Sequence, residues 1–361
     1  MVRMAGTGGA GARMAPARKR KTQRMISGKR VAENRLAVIP VYAGQKRLRV
    51  ERPKGGPQGE RQRVIQRMAL DPGLSRGDDF LRICQGTTVF RLRGCLSGMR
   101  FKLILEFDGT RYSGWQQQAD AKSVQGALLA AASTVLPGQS LDLQGCGRTD
   151  AGVHGLRYPA HLEATTDLTP GALAERLNDL LPADINVLAA EPVHPRFHAR
   201  HTCLGRSYLY QIALRRTAFC RRYVYWRREP LAASRMAAAA GLLAGMHDFA
   251  AFTDRRALKK KSAKVFVNKA EIAAAGDDLI RFRIVGSHFL WKMIRNIVGV
   301  LIEIGAGRMD LRDLEGLLAG QGKLPAGLLA PPSGLFLEAA FYDEESFEEF
   351  LASEPLRPLF F

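Results

Sequence analysis

The order of apolar periodicities constrains this chain most, because the same order runs through it twice. Phe101, Leu103, Leu105 and Phe107 alternate with Lys102 and Glu106 and predict a half-buried strand ended by Asp108-Gly109. A helix follows the Ser123 cap with Val124, Leu128, Ala131 and Val135 on one face, and Pro137-Gly138 stops it. Strands are expected at 141–146 and 160–163, then a helix from Pro170 carrying Leu173, Leu177 and Leu180, then a strand at 185–189. The second run has a strand at 207–214 with Tyr208, Tyr210 and Ile212 on one face, followed by an alanine-rich helix at 231–244. Strands at 264–272 and 279–285 come next. A helix at 289–304 presents Met293, Ile297, Val300 and Ile304 and ends at Gly305, and a last strand spans 335–341. Each run reads β-α-β-β-α-β. Two split βαβ units in tandem predict an α+β protein of two ferredoxin-like units, 99–200 and 201–345, with helices on one side of each sheet and a tail at 346–361. The pattern leaves open whether the two sheets join edge to edge.

Charge separates this folded part from what precedes it. Residues 1–98 hold 22 Lys+Arg against 6 Asp+Glu, whereas 99–361 hold 32 against 28, so most of the formal net charge of +20 sits in the first quarter. That quarter has no acid before Glu33, runs through Arg18-Lys19-Arg20-Lys21, and sustains neither a helical nor a strand period. It is expected to be a disordered basic extension. Three origins fit it: an over-long reading frame whose true start is Met99, an arm that holds RNA electrostatically, or a transit peptide. Ser27 is the one serine among residues 1–32, which speaks against the last. The apolar run at 36–42 is short and contains Pro40, so a secretory signal fails. No stretch approaches the roughly 18 apolar residues of a membrane span. The longest candidate, 294–304, is broken by Arg295, Asn296 and Glu303. Five cysteines without a CxxC pair argue against a disulfide framework or zinc ribbon and for a reducing cytoplasm.

The densest chemical signal is Gly145-Cys146-Gly147-Arg148-Thr149-Asp150-Ala151-Gly152-Val153-His154-Gly155, a loop between two strands with one carboxylate. Glycines permit close approach of backbone to a ligand, and loops on rigid strands are where chemistry usually sits. Arg148 and Asp150, two apart, project to one side of an extended loop, where the guanidinium would keep the carboxylate ionised and oriented. The same spacing also fits a turn with a surface ion pair. Composition does not decide between them.

The stretch from Gly147 to His154 resembles the signature of the tRNA pseudouridine synthase A family, and other motifs agree with it in order. They are Phe107-Asp108-Gly109 with Tyr112-Ser113-Gly114-Trp115-Gln116, Leu177-Asn178 before Leu181-Pro182 and Asp184-Ile185, Phe197-His198-Ala199-Arg200, Tyr208-Leu209-Tyr210, His247-Asp248-Phe249, Met293-Ile294-Arg295-Asn296-Ile297-Val298-Gly299 and Gly334-Leu335-Phe336-Leu337. The resemblance covers about 99–342 and has no counterpart in 1–98. It implies the pseudouridine synthase fold and a cytoplasmic homodimer that isomerises uridine at tRNA positions 38, 39 and 40, without metal or organic cofactor. Asp150 is then the catalytic carboxylate, acting covalently or at the sugar. Arg148 would hold that carboxylate or fill the gap left by a flipped base. Tyr208, otherwise an ordinary strand aromatic, would stack on uracil and could relay a proton. Arg295, an isolated charge on an apolar helix, must find a partner in Asp150 or a phosphate. Leu335 or Phe336 would wall the pocket, unless both are simply core of the last strand.

Other readings compete. The same fold could serve a non-catalytic tRNA-binding protein or chaperone, against which the intact Asp150 weighs. His194, His198 and His201 with Cys203 could hold a metal, although their spacing is not that of a helical ligand pair. Cys146 could be a nucleophile activated by His154 or His161, but it lacks an orienting carboxylate. Two departures from the family pattern stand out. Pro159 is expected to confine its stretch to an edge or a strand start. The lysine-rich stretch 259–264 replaces a segment in which the family often carries arginine after serine, and its lysines keep charge without the bidentate fork.

Overall fold

A computed structural model of the chain describes residues 98–254, 258 and 262–352. The basic stretch up to residue 97, Lys259, Lys260 and Lys261, and the end of the expected tail from 353 lie outside the described residues. The first run comprises β1 (Met99–Phe107), α1 (Val124–Val135), β2 (Asp142–Gly145), β3 (His154–Ala164), α2 (Pro170–Asn178) and β4 (Ile185–Val193). The second comprises β5 (Gly205–Ala213), β6 (Tyr225–Trp226), α3 (Ala233–Gly241), β7 (Gly245–Asp248), β8 (Lys264–Ala275), β9 (Leu279–Gly286), α4 (Met293–Gly305), α5 (Leu311–Leu318), β10 (Leu335–Phe341) and α6 (Glu344–Ala352).

The strands form one mixed sheet in the order β4-β1-β3-β10-β5-β9-β8-β7, with β2 added to β3 and β6 to β5. The two runs therefore meet edge to edge. They join through a short parallel pairing that sets Phe336 beside His154 and Leu337 beside Gly155. One face of the sheet is apolar across both runs: Leu103 and Leu105 of β1, Tyr208 and Tyr210 of β5, Phe282 of β9 and Leu335 and Leu337 of β10 share a single core. The helices seal it with Leu128 of α1, Leu173 and Leu177 of α2, Met236 of α3 and Ile297 and Leu301 of α4. Local chemistry starts these helices where the sequence predicts. Ser123 accepts the Gly126 N–H at 3.2 Å, and Thr169 accepts the Ala172 N–H at 3.3 Å ahead of Pro170. The opposite face holds a smaller cluster of Leu209 and Phe336. There Phe347 of α6 packs 5.1 Å from Phe341, and the Arg283 guanidinium lies 5.0 Å over Phe350.

Three expectations are corrected. The strand expected at 160–163 begins at His154 and runs straight through Pro159 as an interior strand between β1 and its partners on the other side. Pro159 is tolerated because its carbonyl accepts the Cys146 N–H at 2.9 Å on that other side, and the donor it lacks faces the gap where β2 has ended and β10 has yet to pair. Leu180 does not share the apolar stripe of α2. The helix stops at Asn178, and Leu180 is 49% exposed. The helix expected from 289 starts at Met293, because Lys292 adopts a left-handed φ of 61° that no helix interior accepts.

Candidate active site

The loop between β2 and β3 is held from below by the sheet. Arg206 of β5, buried at 8% exposure, donates from Nε and Nη2 to the Cys146 carbonyl at 3.1 and 2.8 Å and from Nη1 to the Ser287 carbonyl at 3.0 Å. The Tyr158 hydroxyl donates to the Gly147 carbonyl while its ring stacks on Trp115 at 4.3 Å. Further along, the Gly152 N–H reaches the Tyr112 carbonyl at 3.2 Å, and Val153 closes a turn on the Asp150 carbonyl at 3.2 Å. That turn needs a φ of +78° at Gly152, where any side chain would be strained and would press on Pro332. The backbone of Asp150 is thus fixed before its side chain finds a partner.

Both carboxylate oxygens of Asp150 are engaged from the α4 side. Oδ2 accepts Arg295 Nη1 at 2.8 Å and Oδ1 accepts the Trp291 indole N–H at 3.0 Å. Arg295 is itself tied down, donating from Nε to the Ala330 carbonyl at 2.7 Å, while its own carbonyl accepts the Ala330 N–H at 3.2 Å. Side-chain exposures of 12% for Arg295 and 22% for Asp150 make this a partly dehydrated, charge-assisted pair, stronger than a surface ion pair. A carboxylate held at two points and still partly exposed can act as a nucleophile or base without first rearranging.

Tyr208 lies on the same sheet face and packs edge-on to Phe289 at 5.3 Å. Burial, with smaller contributions from Cys146 and the Asp150 charge, pushes its phenol well up, so it stays protonated. Leu335 is buried on this face, paired in register with Tyr210. Phe336 points the other way and stacks on His154 at 4.7 Å, on the far side of the sheet from Tyr208. Arg148 does not hold the carboxylate. Its side chain is exposed, has no ion-pair partner among the described residues, and lines with Arg200, Gln116 and Gln144 a cavity of about 380 Å³.

The competing chemistries find little support in the geometry. Cys146 is fully buried, and burial pushes its thiol up, the reverse of an activated thiolate. His154 accepts the Gly109 N–H on Nδ1 at 3.1 Å and reaches the Arg222 carbonyl with Nε2 at 3.0 Å, so both ring nitrogens serve the fold. Burial holds its basicity down and keeps it neutral. The His198 and His201 rings lie 4.3 Å apart, but Cys203 donates its thiol to the Gly205 carbonyl. Among the described residues no group of three His, Cys, Asp or Glu is placed to share a metal. Two residues at the site escape sequence reasoning. Arg206 could be suspected as a charge two positions before Tyr208 in a strand buried on both faces, whereas Trp291 gives no signal inside a segment that reads as helix.

Comparison with known proteins gives this arrangement its relatives. A family model described as tRNA pseudouridine synthase matches residues 239–343, a stretch that carries Trp291, Arg295 and β10 but begins after Asp150. The tRNA pseudouridine synthase A of Zymomonas mobilis is 36% identical over 246 residues, 67% of this chain and 99% of the relative. That of Rhodopseudomonas palustris is 39% identical over 251 residues, 68% of this chain and 99% of the relative. A tRNA pseudouridine synthase A 2 of Bacillus cereus is 35% identical over 241 residues, 66% of this chain and 97% of the relative. Among the described residues no helix is long and apolar enough to cross a membrane.

Proposed function

The chain belongs to the tRNA pseudouridine synthase A family, isomerases acting on uridine in tRNA, and from that premise we propose that it converts the uridines at positions 38, 39 and 40 of the anticodon stem-loop with Asp150 as the catalytic carboxylate. One observation carries the assignment of Asp150: the acid of the glycine-rich loop is held ready by Arg295 and Trp291 rather than left to solvent. The reaction breaks the bond from N1 to C1′, turns the uracil while it remains held, joins C5 to C1′, and moves a proton from C5 while N1 gains one. Asp150 serves either by adding covalently or by acting at the sugar. Both routes need an ionised, oriented carboxylate at the start. Tyr208 offers a ring for uracil to stack on and a protonated hydroxyl without a partner among the described residues. Leu335 walls the pocket from the sheet side. Arg148, whose side chain is exposed, fills the space a flipped base leaves in the stem, a step that costs a few kcal/mol of unstacking.

The strand order supports two tandem ferredoxin-like units: β4-β1-β3-β2 in the first run and β10-β5-β9-β8 in the second follow one pattern. From the resemblance of its motifs we also propose that the chain works as a cytoplasmic homodimer without metal or organic cofactor. The test is direct. Purified protein is incubated with unmodified tRNA and pseudouridine is mapped along it. Asp150→Asn, nearly isosteric but neither nucleophilic nor basic, should lose more than about a thousandfold in turnover while tRNA affinity stays within a few-fold. Residual turnover within tenfold of the parent would remove Asp150 from the chemistry. A parent that binds tRNA and forms no pseudouridine would leave a binding protein.

A further inference from the structure

The excess positive charge of residues 99–361 is concentrated in one place. Six arginines, Arg215, Arg216, Arg221, Arg222, Arg227 and Arg228, fall in the fifteen residues 214–228 with no acid among them, although 99–361 as a whole hold only four more bases than acids. Outside this loop that part of the chain is slightly acidic. Phe219 at its tip is 96% exposed, and Trp226 at its end is 42% exposed. An exposed Phe amid arginines is poor design for a solvated surface loop and good design for a nucleic-acid platform.

The loop's backbone is anchored, while only some of its charges are. The Arg222 carbonyl receives His154 Nε2 at 3.0 Å, the Tyr223 hydroxyl donates to Asp108 Oδ2 at 3.2 Å, and the Val224 carbonyl accepts the Ser333 hydroxyl at 3.2 Å. These tie the loop to the end of β1, the start of β3 and the approach to β10. Arg215 pairs with Asp278 at 2.8 Å, Arg227 pairs with Glu229, and Arg216 lies over Trp226 at 5.9 Å. Arg221, Arg222 and Arg228 are exposed and have no ion-pair partner among the described residues. The His154 and Phe336 to which the loop is fastened belong to the sheet face opposite Tyr208, so these guanidiniums lie outside the Asp150 pocket. Rigid backbone with free guanidiniums and a bare ring is the chemistry that takes phosphates and stacks a base.

We propose that the arginine loop 214–228 is a second tRNA-contact surface, with Arg221, Arg222 and Arg228 on backbone phosphates and Phe219 under an unpaired base. It rests on tRNA being the substrate, as the family implies, but not on the role of Asp150. The test measures the affinity of the full chain for unmodified tRNA across a salt series. The triple variant Arg221→Gln, Arg222→Gln and Arg228→Gln should bind about tenfold more weakly at low salt. Its slope of log affinity against log salt should be shallower by roughly one to three, about 0.9 for each phosphate no longer neutralised. The corresponding triple Lys variant should recover most of both. Phe219→Ala should weaken binding about fivefold with the slope unchanged, as loss of stacking does. Turnover at saturating tRNA should stay within about twofold for all of them. Unchanged affinity and slope in the Gln variant overturn the proposal, as does a loss confined to turnover at saturation. Binding is read without catalysis, so a parent protein inactive on tRNA would sink the isomerase reading, while a slope difference would still support this surface.

Discussion

Asp150 uses both carboxylate oxygens, and the two donors are not equivalent in what they do. Arg295 supplies charge and is locked by the Ala330 carbonyl, so it sets where Oδ2 sits. Trp291 supplies only a neutral N–H to Oδ1 from a side chain that is 49% exposed. A hydrogen bond to a charged group contributes about 1.5–3 kcal/mol when dehydrated and less at this exposure. Trp291→Phe, which keeps a ring and removes the donor, should therefore lower turnover about fivefold with little change in tRNA affinity. Trp291→His should restore most of it, because the imidazole Nε2 occupies the ring position of the indole Nε1. Steady-state kinetics on the two variants checks this, and equal losses in both would make Trp291 a packing residue. Arg295 is legible in the sequence because an isolated cation on an apolar helix face needs a partner. Arg148 is not, because spacing along a loop says nothing of the donors that distant segments bring, and Asp150 is taken by Arg295 and Trp291.

At the scale of elements, α4 positions the site by the way it packs. A Cβ at Gly299 would stand 1.8 Å from the Leu328 carbonyl oxygen, so the segment that carries Ala330 can lie against the helix only because this position is bare. Gly299→Ala gains up to about 1 kcal/mol of helix propensity and loses about 1–3 kcal/mol to the forced shift of a backbone that cannot rotate away. The expected result is a lower thermal midpoint and a fall in kcat larger than any rise in KM, since Ala330 holds Arg295. Strand β3 carries a second prediction. Burial, helped by His198 and Arg100 and opposed by Asp142, holds His161 down to about 4 from an ordinary 6.5, and its Nδ1 accepts the Ala199 N–H at 3.1 Å. Between these values the unfolded chain binds a proton that the folded chain refuses. Stability is therefore complete above about pH 6.5 and falls as pH drops toward 4, by up to about 3 kcal/mol. Urea unfolding at pH 7 and 4.5 should show this loss, and His161→Gln should flatten it. The strands and helices with a clean period are legible in the sequence. The entry into β3 is not, because Pro159 argues against an interior strand until the change of partner beside it is known, and β6 and β7 are too short to show a period.

At the scale of the whole molecule, most of the net positive charge lies in the first 98 residues, ahead of the described strands and helices. Every strand and helix described lies between Met99 and Ala352, and the relatives from Zymomonas mobilis and Rhodopseudomonas palustris are matched over 99% of their length by about two thirds of this chain. The sheet that joins the two runs, the loop bearing Asp150 and the helix bearing Arg295 are all within that part. A protein of residues 99–361 should therefore fold and form pseudouridine at the rate of the full chain once tRNA saturates it. Affinity is a separate matter, because 22 of the 54 Lys and Arg precede residue 99, and flexible or fixed, cations near a polyanion release counterions in proportion to the phosphates they meet. The full chain should bind tRNA more tightly at low salt than residues 99–361 and lose that advantage as salt rises, with the steeper slope of log affinity against log salt. Parallel slopes would mean that the basic stretch meets no phosphate. An inactive or insoluble 99–361 would mean that residues before Met99 complete the core or the site.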